Sequence, residues 1–121
     1  MTDFDPRTAP AGPELDAWLM EHVLGWTPPD YRCWHNEMGD CCLSIRPTTD
    51  ANDALKVLEK IGRDVCNDIF VVYRPDIPDR AWHIYPRPLG AIGAYVAPTF
   101  CMAIARLAVA VVETREESDA T

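Results

Sequence analysis

The chain has 121 residues, 48% of them hydrophobic and 25% charged, with 19 acidic against 11 basic side chains and a formal net charge of -8. That length is one domain around one core, and the composition excludes wholesale disorder. The acids are spread along the whole chain, and such a molecule repels polyphosphate. Direct nucleic-acid binding is therefore not expected, and a basic protein surface is the complementary partner; a charge of this size also serves solubility alone.

Five cysteines, Cys33, Cys41, Cys42, Cys66 and Cys101, make an odd number and follow no secretory leader. Reduced thiols in a cytoplasm are expected rather than a disulfide framework. The longest apolar stretch, residues 100–112, is broken by Arg106 and falls short of the ~20 residues that cross a bilayer, so it reads as a core helix and no membrane partner is expected.

Residues 1–12 hold Asp3, Asp5, Pro6 and Pro10 with Phe4 as the one bulky apolar side chain, and read as a flexible arm. One domain over residues 13–112 follows. Pro13 suits a first helical turn, and Leu15, Trp18, Leu19, His22 and Val23 share one helical face until Gly25 stops the helix, with Trp26 as an anchor. Over residues 27–46 the periodicity fails under Pro28, Pro29 and Gly39, which gives a long loop with a short strand at 43–45.

Thr48 or Thr49 then offers an N-cap, with Asp50 and Asp53 at the positive end of the helix dipole. Ala51, Ala54, Leu55, Leu58 and Ile61 form the apolar stripe of this second helix, which Lys56, Lys60 and Gly62 close. Residues 69–73 and 81–85 are rich in β-branched and aromatic side chains and read as a hairpin joined by the proline- and aspartate-bearing loop 75–80. A third strand covers residues 91–96. The last helix begins near Pro98 or Thr99 and is apolar almost all round to Val112, so it should lie flat on the sheet or against a second copy of the chain. Its alanines Ala103, Ala105, Ala108 and Ala110 would let a homodimer approach closely, and the polar residues 113–121 read as a fraying tail.

The order of these pieces resembles the phage ABA sandwich domain family, small proteins encoded by bacteriophages and prophages. The likeness is carried by residues 15–26 (LDAWLMEHVLGW), 47–61 (PTTDANDALKVLEKI) and 97–112 (APTFCMAIARLAVAVV), with the β meander between them. It implies an α+β fold, a three-layer helix/antiparallel sheet/helix sandwich of about three helices and three or four strands. It also implies a phage setting inside a bacterial cytoplasm, and no catalytic residues. The loop departs from the family, which places tryptophans and polar residues where this chain has Cys33, His35, Cys41 and Cys42.

Those four residues lie within ten positions and are zinc-ligand types, but C-x-H and adjacent cysteines strain tetrahedral geometry, and free thiols are the simpler reading. A Cys–His nucleophile could draw on any thiol with His22, His35 or His83, yet free cysteines more often fill cores. On the second hairpin strand, alternation separates Trp82 and Ile84 from Ala81, His83 and Tyr85. If His83 and Tyr85 face outward beside Tyr73, they form an aromatic recognition surface; if helices cover both faces, His83 is a partly buried hydrogen-bonded residue. Trp34, among polar loop residues, is the candidate exposed contact.

No P-loop, G-x-G-x-x-G, H-E-x-x-H or G-x-S-x-G occurs. The expected function is therefore non-enzymatic: a phage-encoded accessory protein that binds a host protein complex with a basic surface, such as a CRISPR effector. One alternative is a nucleotide-signal sponge or small enzyme using His83, Tyr85 and Arg87, with Arg87 on a phosphate. A zinc protein built on the loop cysteines is another; no other cofactor is expected.

Overall fold

The structure, a computed structural model, describes residues 4–26, 34–35, 38, 41–42, 45–64, 68–87 and 95–120. Among the described residues three helices, α1 (Pro13–His22), α2 (Ala51–Asp64) and α3 (Phe100–Ala120), accompany five strands: β1 (Trp34–His35), β2 (Cys41–Cys42), β3 (Asp68–Tyr73), β4 (Trp82–Arg87) and β5 (Tyr95–Ala97). The fold is α+β, with an antiparallel sheet of order β3-β4-β5 and helices packed on it, plus a small β1-β2 ladder.

Pro13 opens α1, which buries Leu15, Asp16, Leu19 and Met20, with Val23 buried just beyond its end; His22, expected on that face, is exposed and stacks on Trp18 at 4.6 Å. Beyond the helix, Leu19 O accepts from the amides of Val23 and Leu24 at 3.0 and 3.2 Å, and Met20 O from that of Trp26 at 3.0 Å. This last bond requires the chain to turn through Gly25 at φ 74, a left-handed conformation that glycine adopts without a Cβ penalty.

The cap of α2 differs from expectation. Asp50, not a threonine, caps the helix, its Oδ1 accepting from the amide of Asn52 at 2.9 Å, while the Asp53 carboxylate accepts from the amide of Arg46 at 2.8 Å. Thr48 is instead drawn inside: its amide and its hydroxyl both donate to Asp16 Oδ1 at 2.8 Å, and its Oγ1 accepts from the Gly12 amide at 3.0 Å. The inward stripe is Ala54, Val57, Leu58 and Ile61, spaced as a helical face; Ala51 and Leu55 point to solvent. Gly62 does not end the helix, which runs to Asp64.

The uniform apolarity of α3 is explained by its place. It packs on β4 and β5 with one side and on α1 and α2 with the other, so the layers run sheet, α3, then the α1/α2 pair. Ala103, Ala105 and Ala108 are consumed inside this chain, which removes them from any dimer contact. Thr99 caps α3 through Oγ1, which accepts from the Met102 amide at 3.2 Å, and the helix continues through the expected fraying tail to Ala120.

Within the arm, the Arg106 guanidinium donates to the carbonyls of Pro6 and Ala9 at 3.2 and 3.1 Å, and Ala9 is buried; residues 1–3 lie outside the described residues. The expected hairpin is β3–β4, with a 3-10 turn at Pro78–Arg80 in its loop. The third strand lies at Tyr95–Ala97; residues 91–94 fall outside the described residues. In the long loop the described strands are β1 and β2; of the strand expected at 43–45, Ile45 is not in a strand and residues 43–44 lie outside the described residues.

Candidate functional site

Register decides what the sheet presents. Phe70 pairs with Tyr85, Val72 with His83, and His83 with Val96, while Val71 pairs with Ile84 and Tyr73 with Trp82. Since alternate residues point to opposite faces, Trp82, Ile84 and Ala97 turn to α3, and Phe70, Val72, His83, Tyr85 and Val96 share the outer face. Ile84 is fully buried, whereas Phe70, Val72 and Tyr85 are 49%, 41% and 41% exposed. Exposure of that size by neighbouring large apolar side chains is the property that marks contact surfaces.

Within this face the His83 and Tyr85 rings stack at 6.3 Å with an interplanar angle of 19°. The Nε2 of His83 is buried and has no hydrogen-bond partner among the described residues. Arg87 ends the same strand, its side chain lying outside the described structure. Tyr73 does not join His83 and Tyr85. It meets Trp82 at 4.7 Å with the rings tilted by 38°, and Trp82 in turn meets Phe100 at 5.3 Å, so Tyr73 belongs to the α3-facing side. Phe70 and Val72 take the place expected of it, and only the hairpin register reveals them.

Trp34 is also displaced from its expected role: it is 8% exposed and joins the core. It lines a cleft of about 500 Å³ with Gly12, Asp16, Met20, Ile45 and Arg46. Of the metal candidates, Cys33 lies outside the described residues, as do the side chains of Cys41 and Cys42. Backbone pairing sets His35 opposite Cys41 and Trp34 opposite Cys42. Among the described residues no three His, Cys, Asp or Glu side chains gather as metal ligands.

Cys101 is buried, and desolvation pushes its thiol up, with the Asp50 carboxylate adding to the effect, which opposes a thiolate nucleophile. Cys66 lies outside the described residues. On the arm, Arg7 holds the exposed Asp5 carboxyl below the usual carboxylate range through hydrogen bonds from its amide and guanidinium.

Fold and surface together define a small α+β protein whose sheet is covered by helices on one side and presents aromatic and aliphatic side chains on the other. Its fold is similar to that of a phage protein from Bacillus cereus ATCC 14579, seen in a 2.0 Å crystal structure, with a TM-score of 0.66 at 18% identity over 93% of this chain and 92% of that one. No family model and no curated protein matches the chain. No described helix is long and apolar enough to cross a membrane.

Proposed function

We propose that the protein is a phage-encoded accessory protein that acts by binding in the bacterial cytoplasm, occupying a basic, nucleic-acid-binding surface of a host defence complex such as a CRISPR effector. The observation that carries this reading is the outer sheet face, where Phe70, Val72 and Tyr85 stand exposed on a molecule of formal net charge -8. The two features divide the work. Long-range charge brings the protein to a basic groove quickly and in an ionic-strength-dependent way, and desolvation of the aromatic face supplies residence time.

The test is competition: the protein displaces labelled nucleic acid from the host complex, and Phe70→Ser with Tyr85→Ser abolishes displacement while the melting temperature stays near that of the parent. Raising salt should slow association of the parent by about tenfold or more between low and high ionic strength. Recovery of no host protein from infected cells, or displacement unaffected by both serines, refutes the reading.

A second reading has its own observation: the buried Nε2 of His83, beside the Tyr85 ring, has no hydrogen-bond partner among the described residues. A nucleotide stacked on Tyr85 would give that nitrogen a partner and place a phosphate toward Arg87. Thermal stabilisation by one nucleotide in a panel, lost in His83→Ala, supports it; a flat panel removes it.

A further inference from the structure

We infer that the open edge of β3 pairs antiparallel with β3 of a second copy of this chain, joining two three-stranded sheets into one across a two-fold axis at Val71. Among the described residues β3 is hydrogen-bonded on one side alone, to β4. Among the described residues the other edge of the sheet is β5; β3 has six residues, Asp-Ile-Phe-Val-Val-Tyr, with no proline, no lysine and no glycine, the features that commonly blunt an edge. The side chains Phe70 to Tyr73 are 41–56% exposed on both faces, because α3 packs on β4 and β5 and, on the inner side of β3, leaves Val71 and Tyr73 exposed while Ile69 meets the core.

The direction of the backbone groups selects the pairing. The Arg74 amide donates to Ala81 O, so Arg74 and Ala81 form a hydrogen-bonded pair, and by alternation so do Val72 with His83 and Phe70 with Tyr85. Pro86, which has no amide hydrogen, sits opposite Ile69 in a position where none is needed. The amides and carbonyls of Ile69, Val71 and Tyr73 therefore point away from β4, toward the open edge.

Two-fold pairing must bring these residues against one another. Centred on Val71, it sets Val71 against its copy and Ile69 against Tyr73 of the copy, each donating and accepting. The same register brings Phe70 opposite Val72 of the copy, so the exposed outer face becomes continuous across the axis. It also brings acidic Asp68 opposite basic Arg74 at both ends, with Pro75 stopping the ladder just beyond. Arg74 lies 3.5 Å from Asp76 in the single chain, an exposed pair that an additional carboxylate can share. An edge whose two ends carry opposite charge and whose middle is apolar on both faces is complementary to itself, and isologous contacts demand that property.

The test is sedimentation equilibrium on the full chain. The parent is expected at twice the chain mass, and Val71→Lys, which puts two ammonium groups together at the axis, at the single-chain mass with its circular dichroism unchanged. Asp68→Arg or Arg74→Asp alone should raise the dissociation constant by about tenfold, since each change acts twice, and the two together should restore it. Should Val71→Lys fail to fold, this charge exchange decides alone. A parent that stays monomeric to about 100 μM, or a dimer indifferent to the charge exchange, overturns the inference. None of these readouts involves a host partner, so the result stands apart from the proposed function.

Discussion

The polar centre of the molecule is a single carboxylate. Asp16 is 6% exposed and Thr48 2% exposed, yet both are satisfied, because Asp16 Oδ1 receives the amide and the hydroxyl of Thr48 while the hydroxyl oxygen receives the Gly12 amide. One side chain thus ties the start of α1 to the approach of α2. Asp16→Ala would leave two buried donors without an acceptor, and chemical denaturation should show a loss of about 2–4 kcal/mol; Asp16→Asn, which keeps an oxygen in place, should cost less. The opposite sign is expected at Gly62. There is open space for a methyl group there, and the residue lies in the last turn of α2 with helical backbone, so Gly62→Ala should stabilise by about 0.5–1 kcal/mol in the same measurement. From sequence, Asp16 was hidden among acids of a solvated first turn and Gly62 was indistinguishable from a helix stop, since both roles depend on what lies across from them.

Among the elements, helices were legible because their period is local. Leu15, Leu19 and Val23 face inward as their spacing demands, and the all-round apolarity of residues 100–112 announced a helix covered on every side. The sheet was legible by half. Alternation placed His83 and Tyr85 together, but which residues of β3 stand beside them is fixed by the length and turn geometry of the loop between the strands, so Phe70 and Val72 were not seen and Tyr73 was put on the wrong face. Burial of Trp34 required tertiary contacts that no local pattern encodes. The hold on Pro6 and Ala9 is invisible for the same reason: it comes from Arg106, nearly a hundred residues away, which in the sequence is only an interruption of an apolar run. Arg106→Met should release residues 5–9, seen as faster hydrogen exchange at the Thr8 and Ala9 amides, with a stability loss of about 1–3 kcal/mol from the two carbonyls left behind.

For the whole molecule, the layer order concentrates stability on one side of the sheet and leaves the other side free to change. Core contacts run through α3, whereas Phe70 and Tyr85 touch solvent as much as protein. Phe70→Ser and Tyr85→Ser should therefore each shift the denaturation midpoint by less than about 1 kcal/mol, while Ile84→Ala, one register step away but fully buried, should cost about 2–5 kcal/mol. A comparable loss at all three sites would mean that the outer face is a hidden core rather than a surface.

The central position of α3 also governs when the protein can begin to exist. The helix that fills the middle is the last described element to be made, and its arginine reaches back to carbonyls among the first. A nascent chain stalled short of residue 100 has strands and two amphipathic helices with nothing to close on. The described core cannot close until α3 has been made, so the aromatic hairpin emerges from the ribosome ahead of the helix that packs on its inner face and is most vulnerable to aggregation in that interval.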